Sequence, residues 1–373
     1  SALVLDGNTI LNSGSRGVNV RGETITISNN VISSNSGGIK AWETGIDTLT
    51  ISGNTISNNS ASSNGGGIWL REANPTSLVI QDNIIIGNTT GYWGGGVYVS
   101  ISNPQVFIFS NNTVADNQTS DDSWTKYGGA YFNIENSDAN TSSTISNNVF
   151  TRNSGAYGAL GFSLVRSGPN FFLNARTSVN LPETNTFITN TITGNVTTGQ
   201  DPHSIELMGE PLFEQNNISN NNGTIHLNHT NPNTPGPFLA TGNWWGSSST
   251  AAINDLIYDW NDDPDLGVLD FSSFLTAPST TAPPAPPSNI AAQTGPTTIA
   301  LTWDANPESD IAGYKVHYDT DAAGYPYANS TNVGNVTSHT LTGLSTGTTY
   351  YTAVSAYDID GNESWVSRDT SVT

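Results

Sequence analysis

The chain has 373 residues, of which 31 are acidic and ten are basic, so its formal net charge is −21. This charge argues against nucleic acid and anionic membrane surfaces as partners, because both would repel the protein. There is no cysteine, and no hydrophobic segment precedes the first repeat. The sequence therefore predicts neither disulfides nor insertion into a membrane.

Pairs of asparagines spaced five residues apart recur along the first three quarters of the chain. The leading asparagines lie 22, 24, 29, 29, 36, 42 and 27 residues apart. A short unit repeated at elastic spacing is typical of a solenoid whose coils differ in their loops. Asn8 opens the series with a nearer partner, Asn12. The pairs are Asn30/Asn35, Asn54/Asn59, Asn83/Asn88, Asn112/Asn117, Asn148/Asn153, Asn190/Asn195 and Asn217/Asn222.

Short apolar runs separate these asparagines, for example at 48–52, 78–80 and 106–109. Runs of this length, closed by Asn or Gly, indicate β-strands rather than helices. We therefore predict a parallel β-helix of about nine coils over residues 1–275, with three strands per coil and stacked asparagines at its turns. A single helix is predicted at 251–258, with Ser248 or Ser249 as its N-cap.

Several segments carry a family resemblance: ISNNVI at 27–32, ISNNVF at 145–150, GNWWG at 242–246, and the residues from 258 to 271. In these segments the chain resembles the right-handed parallel β-helix proteins of the pectin-lyase-like superfamily, over about 1–275 with a closing segment from about 241. The resemblance implies the fold more than an activity. Pectate lyases of this superfamily use a calcium-binding carboxylate cluster with an Arg or Lys base. Polygalacturonases use several Asp with a His, and here no His precedes His203.

A second domain follows a proline-rich segment at 276–287, which the composition predicts to be an extended spacer. Residues 286–373 contain runs in which apolar and polar residues alternate, as in β-strands, and they contain no asparagine repeat. They resemble a fibronectin type III domain, with Trp303 as its core tryptophan and Tyr350 as its corner tyrosine. The predicted domain spans 288–373. The predicted fold class is all-β, a right-handed parallel β-helix solenoid followed by an immunoglobulin-like sandwich.

A second repeat, a glycine cluster followed by a strand, predicts a binding surface. Alternation directs one set of these strand residues outward, and stacked coils would place them in a ladder. Aromatic rings stack on sugars and Arg binds carboxylate or sulfate, so the ladder suits an acidic polysaccharide or cell-surface glycan. The alternative is that loops bearing Tyr92, Trp93, Trp124, Lys126 and Tyr127, or a neighbouring subunit, cover the rings. The candidate carbohydrate-binding residues are Arg21, Lys40, Trp42, Trp69, Arg71, Tyr98 and Tyr131.

Catalytic and metal candidates are fewer. Glu43 and Glu72 fall at the same offset in successive coils, which would place their carboxylates near the roughly 5 Å separation of a retaining glycosidase. Chance acidic residues beside a strand explain the pair more simply. No cofactor is required, but oxygen-rich acidic turns suit calcium. The candidate ligands are Asp259, Asp262, Asp263 and Asp265 in one turn, and Asp358, Asp360 and Glu363 in another.

These features together predict an extracellular or cell-surface protein that is structural or adhesive rather than catalytic. The chain starts within a coil at Ser1, and an open strand edge favours end-to-end self-association. We interpret that start as a processed or trimmed chain. The alternative function is a polysaccharide lyase or glycoside hydrolase acting on an acidic polysaccharide.

Overall fold

The computed structural model describes residues 2–42, 45–120, 127–136, 141–156, 158–166, 185–198, 203–209, 211–227 and 237–373. The chain divides into two compact units, Ser1–Thr276 and Ala277–Thr373. No helix among the described residues has the length and hydrophobicity of a membrane-spanning segment.

The first unit is a parallel β-helix built from three long sheets, in which every strand pairs in parallel with its equivalent in the next coil. Sheet A contains Ala2–Asp6, Thr24–Ser28, Thr48–Ser52, Ser77–Gln81, Val106–Ser110, Ser142–Ser146, Asn185–Ile188 and Leu212–Glu214. Sheet B contains Thr9–Leu11, Val31–Ser33, Thr55–Ser57, Ile84–Ile86, Thr113–Ala115, Val149–Thr151, Thr191–Thr193 and Asn217–Ser219. Sheet C contains Val18–Val20, Ile39–Trp42, Ile68–Ala73, Val97–Ser102, Ala130–Asn136, Leu160–Arg166, His203–Gly209, Thr224–Leu227 and Ile257–Tyr258.

The middle coils also contain a fourth strand that the sequence pattern did not predict. This short sheet D lies between sheets B and C and contains Ser60–Ala61, Thr89–Thr90, Gln118–Thr119, Ser154–Gly155 and Val196–Thr197. The closing segment adds a two-stranded sheet, Phe238–Leu239 with Leu269–Asp270. Its helix runs only over Thr250–Asn254, with Ser249 accepting a hydrogen bond from the Ala252 N–H at 3.4 Å. The predicted helix is therefore confirmed but shorter, because Ile257–Tyr258 joins sheet C.

The interior is filled by residues that alternate with outward ones, and its composition changes along the solenoid. The first coils bury aliphatic side chains such as Ile25, Ile27 and Ile56. From the coil of Phe107 onward, phenylalanines replace them and pack ring on ring. Phe132 and Phe162 stack at 5.6 Å, and Phe187 and Phe213 stack at 5.2 Å. The closing segment completes this column with the fully buried Trp245, whose ring centroid lies 6.4 Å from that of Phe213.

Two ladders of buried asparagine side chains connect the coils at the turns. In each step, one Oδ1 accepts from both the backbone N–H and the Nδ2 of the asparagine one coil earlier. Asn88 Oδ1, for example, accepts from Asn59 N at 3.0 Å and from Asn59 Nδ2 at 2.9 Å. Its own Nδ2 donates to the Ile56 carbonyl at 2.9 Å. Each ladder side chain thus satisfies turn groups of its own coil and of the coil before it.

A residue with positive φ immediately precedes each ladder position, and this rule corrects two of the predicted pairs. Asn12 (φ 53°) is the turn residue, and Ser13 N–H donates to Asn35 Oδ1, so Asn12 is not a ladder member. Gln215 and Asn220 also have positive φ, so the last pair is Asn216 and Asn221, not Asn217 and Asn222. One ladder runs through Asn8, Asn30, Asn54, Asn83, Asn112, Asn148, Asn190, Asn216 and Asn243.

The second unit is an antiparallel sandwich. One sheet contains Ala291–Thr294, Thr298–Thr302 and Ser338–Thr342, and the other contains Asn329–Gly334, Ile311–Asp319, Tyr350–Asp358 and Thr370–Val372. Trp303 is buried, with its ring 5.5 Å from that of Tyr314. The Tyr350 hydroxyl accepts from Ser345 N–H at 3.0 Å, as predicted for a corner tyrosine. The proline-rich segment is tied to this unit, because Ala285 N–H donates to Glu308 Oε1 at 2.9 Å.

We expect Asn88→Ala to destabilise the β-helix markedly. The substitution leaves Asn59 N–H, Asn59 Nδ2 and the Ile56 carbonyl without their buried partner, at a cost of roughly 3 kcal/mol or more. Thermal unfolding followed by far-ultraviolet circular dichroism would measure it. Asn19→Ala, at an exposed strand position, is the control. Equal melting temperatures for the two variants would contradict the structural role of the ladder.

We also expect Gly67→Ala to destabilise the first unit. A Cβ at Gly67 would lie 2.6 Å from the Gly96 carbonyl oxygen and 2.9 Å from Ile85 Cγ2, so the turns of adjacent coils would have to separate. We expect a loss of about 1–3 kcal/mol, measured by chemical denaturation. At Gly91 the nearest atom to a Cβ is Ser62 O at 3.7 Å. Gly91→Ala should therefore leave stability unchanged.

Candidate functional site

The outer face of sheet C brings the predicted carbohydrate-binding residues together. Strand register places Trp69 between Lys40 and Tyr98, and Arg71 between Trp42 and Ser100. Tyr98 in turn lies beside Tyr131 in the next coil. The inward partners Ile39, Ala41, Ile68, Leu70, Val97 and Val99 are fully buried. The alternation assumed for these strands is therefore correct, and we call Lys40, Trp42, Trp69, Arg71 and Tyr98 the aromatic stripe.

Two indole rings and one ammonium group form the centre of the stripe. The rings of Trp42 and Trp69 lie 5.4 Å apart at 36°. Lys40 Nζ sits 3.7 Å from the Trp42 ring centroid and 4.4 Å from that of Trp69. Both are cation–π distances. Neither indole N–H has an acceptor within the part of the chain that the structure describes. Both indole nitrogens are buried, so the cluster offers the Lys40 ammonium and ring surface, and not the indole N–H groups, to a ligand.

A second cation, Arg16, was missed by the sequence reasoning. Its guanidinium lies 5.0 Å from the Trp69 ring centroid and donates to the carbonyls of Asn64 at 2.6 Å and Gly65 at 2.8 Å. Burial lowers the pKa of Arg16 to about 10. Arg16 thus stabilises the turn that precedes the strand Ile68–Ala73, which contains Trp69. Strand alternation could not reveal Arg16, because Arg16 lies in a glycine-rich turn and not in a strand. The only feature of the sequence that pointed to Arg16 was its position immediately before Gly17.

Tyr131 does not have the exposed ring face that was predicted for it. Its side chain is only 7% exposed. Tyr127 stacks on it at 5.0 Å and 3°, and Trp93 meets it edge-on at 4.8 Å. Burial, with the nearby Tyr98 and Glu135, raises the pKa of Tyr131 to about 12. At this end of the stripe the alternative of loop packing is correct, while Trp124 and Lys126 lie outside the described residues.

Basic residues are concentrated around the stripe although they are scarce in the chain. Four of the ten basic residues, Arg16, Arg21, Lys40 and Arg71, belong to the first three coils, on sheet C or the turn before it. Arg21 and Arg71 are exposed, and Lys40 is half-buried. In a protein of net charge −21, this clustering places four cations close to the aromatic rings.

The carboxylate pair proposed for catalysis is not supported by the environment of Glu72. Glu72 pairs in register with the inward-facing Ile101 and is only 6% exposed. Its Oε2 accepts a hydrogen bond from the Ile46 N–H at 3.1 Å. Glu43 lies outside the described residues. Glu72 therefore stabilises the turn at Ile46 through this hydrogen bond, and its side chain does not face the aromatic stripe.

Three of the four predicted calcium ligands in the first acidic turn, Asp259, Asp262 and Asp263, accept backbone hydrogen bonds. Asp259 accepts from Asn261 N at 2.9 Å through Oδ1 and from Leu269 N at 2.9 Å through Oδ2. Asp262 Oδ2 accepts from Asp259 N, and Asp263 Oδ1 from Asp265 N. In the described residues, no three acidic, histidine or cysteine side chains are grouped as metal ligands.

The second acidic turn is arranged in a similar way. Asp358 Oδ1 accepts from the N–H groups of Asp360 and Asn362, at 3.0 and 2.8 Å. Glu363 pairs with Lys315 Nζ at 2.5 Å and accepts from the Ser355 hydroxyl at 2.5 Å. Calcium binding at either turn stays a prediction, and these contacts do not favour it.

A histidine cluster also lies on the outer face of sheet C, towards the closing segment. The rings of His203 and His226 stack at 4.2 Å, and the Tyr258 ring lies 4.8 Å from that of His203. His229, three residues after His226, lies outside the described residues. His203 and His226 are 23 positions apart in the sequence, and coil lengths vary, so spacing alone does not reveal their contact.

We expect Glu72→Ala to lower the melting temperature of the protein, since it removes the acceptor of the buried Ile46 N–H. The loss should be about 1–3 kcal/mol. Glu72→Gln keeps an acceptor oxygen and should retain most of the stability. Scanning calorimetry of the two variants would test this. Equal stability of Glu72→Ala and the unsubstituted protein would refute the structural role.

Comparison with known proteins agrees with this architecture. Residues 1–139 match the family model "Right handed beta helix region", and residues 285–372 match "Fibronectin type III domain". Exoglucanase B of Cellulomonas fimi is 40% identical over 100 residues, which are 26% of this chain and 8% of that protein. A Kelch domain-containing protein of Saccharolobus solfataricus is 40% identical over 82 residues, 22% of this chain and 11% of that protein. The chain thus spans about a tenth of the length of these curated relatives.

Among solved structures, an Fn3-like protein from Clostridium thermocellum is 34% identical, covering 25% of this chain and 94% of that one, with a TM-score of 0.21. The FN5 domain of Drosophila Lar is 25% identical, covering 24% and 94%, also with a TM-score of 0.21. Together with the stacked parallel sheets and the antiparallel sandwich, the two family matches identify the chain as a right-handed parallel β-helix followed by a fibronectin type III domain.

Proposed function

We propose that this protein is a non-catalytic extracellular adhesive or structural protein whose aromatic stripe binds an acidic polysaccharide. The observation that carries the proposal is the Lys40 ammonium between the rings of Trp42 and Trp69, with the exposed Arg71 beside Trp42. Indole faces stack on sugar rings, and a guanidinium donates two parallel hydrogen bonds to a carboxylate or sulfate. The residues of the proposed site are Arg21, Lys40, Trp42, Trp69, Arg71 and Tyr98.

The clustering of basic residues on the first coils supports an anionic ligand at this place. Over the whole surface a net charge of −21 repels polyanions, so only a local positive region can hold one. Successive coils lie about 4.8 Å apart, so four coils offer contacts to several consecutive sugar units. A linear polymer can run along the solenoid axis over such a surface.

The domain composition is consistent with this proposal. A β-helix region and a fibronectin type III domain fit an extracellular, carbohydrate-related protein. The partial match to an exoglucanase is consistent with the same class. A catalytic role is not proposed, since Glu72 is buried in a structural contact. End-to-end association stays a separate prediction.

Affinity electrophoresis in gels containing polygalacturonate, alginate or chondroitin sulfate would test the binding. We expect Trp42→Ala/Trp69→Ala to weaken retardation by about tenfold or more, because the stacking faces are lost. Arg71→Ala should weaken it about five- to tenfold, through the loss of a charge-assisted hydrogen bond. Binding by the unsubstituted protein should fall with increasing salt.

Trp260→Ala provides the matched control, since Trp260 is 51% exposed but lies in the closing segment. This variant should bind like the unsubstituted protein. If the double variant and the control are retarded equally by every acidic polymer, the stripe is not the binding site. New reducing ends, or unsaturated products that absorb in the ultraviolet, would show instead that the protein is an enzyme.

A further inference from the structure

A buried carboxylate in the fibronectin type III domain lacks a partner. Asp319 ends the strand Ile311–Asp319 and is only 4% exposed. Its Oδ2 accepts from Ala328 N–H at 3.4 Å. Its Oδ1 is enclosed and accepts no hydrogen bond from any part of the chain that the structure describes. An ionised carboxylate oxygen that is removed from water without a donor is strongly unfavourable, so either a cation or a proton must balance it.

A second carboxylate makes that requirement stronger. Asp321 lies two residues further on, at the start of the same loop, and is exposed. Burial raises the pKa of Asp319, and a side-chain hydrogen bond with Asp321 and the negative charges of Asp321 and Asp369 act in the same direction. Asp321 Oδ1 accepts from the Ala322 N–H at 2.8 Å. Among the described residues, no Lys, Arg or His forms an ion pair with either aspartate.

The third aspartate of the cluster, Asp369, has a different structural role. Asp369 Oδ2 accepts from the Gly324 N–H at 2.5 Å, and its Oδ1 accepts from the Tyr327 hydroxyl. These bonds fix the loop between Asp319 and the strand Asn329–Gly334. Asp369 therefore stabilises the loop and adds negative charge. The negative charges of Asp319 and Asp321 are the ones that still need a counter-charge.

We propose that Asp319 and Asp321 bind a divalent cation of the calcium type, with main-chain carbonyls and water completing its shell. Carboxylate oxygens without histidine or cysteine favour a hard cation. Two carboxylates suit an affinity of about 0.1–1 mM, the range of extracellular modules. The site is distinct from both acidic turns of the sequence prediction, 259–265 and 358–363.

Isothermal titration of the full chain with calcium chloride, after removal of metal with EGTA and at constant ionic strength, tests the proposal. Binding should raise the melting temperature of the fibronectin type III transition. Asp319→Asn and Asp321→Asn should each weaken binding by about tenfold or more. Asp360→Asn removes the same charge from an exposed position in the other turn and should leave the affinity unchanged.

Two results would overturn the assignment. In one, Asp360→Asn weakens calcium binding while the other two variants do not, which places the cation at the 358–363 turn. In the other, calcium leaves the melting temperature unchanged, and stability without metal rises as the pH falls. A raised folded-state pKa favours the protonated form on folding, so that behaviour would show that Asp319 holds a proton instead of a cation.

Discussion

The asparagine ladder is the interaction on which the rest of the first unit depends. A parallel β-helix must turn at the ends of very short strands, and every turn leaves peptide groups that no strand can pair. Each ladder asparagine satisfies three kinds of such groups. At Asn54, Oδ1 accepts from the backbone N–H and the side-chain amide of Asn30, and Nδ2 donates to the Ile27 carbonyl. Because the same side chain serves two coils, it also sets their register. Sheets A, B and C then follow with no freedom to slip.

Much of this architecture could be predicted from the sequence, because the turn constraint repeats in every coil. What the spacing could not decide was which of two neighbouring asparagines enters the ladder. At Asn29 and Asn30 the first takes positive φ and the second enters the ladder. Where three asparagines follow one another at 220–222, the one with positive φ again comes first. The preceding backbone conformation, and not the asparagine itself, identifies the position.

The sequence predicted the side of sheet C on which the aromatic side chains lie, but it did not predict how exposed each side chain is to solvent. Strand alternation placed Trp42, Trp69, Tyr98 and Tyr131 on one face, and register confirms that placement. Alternation carries no information on what a loop folds over the face. Trp93 and Tyr127 cover Tyr131, whereas cations of the chain itself lie against Trp69. Arg16, in a turn, had no periodic signal at all.

The same distinction explains why acidic turns are poor evidence for metal sites. An aspartate that begins a turn, such as Asp358, accepts the N–H groups two and four residues further on through Oδ1 and the Asn362 side-chain amide through Oδ2, so the turn itself supplies donors to both oxygens. A cation or a proton is needed where the fold buries a carboxylate oxygen and supplies no donor to it, as at Asp319 Oδ1. That situation depends on which strands and loops surround the residue, and composition does not reveal it. In this protein repeated constraints specify the scaffold, and the functional candidates lie where individual residues depart from the repeat.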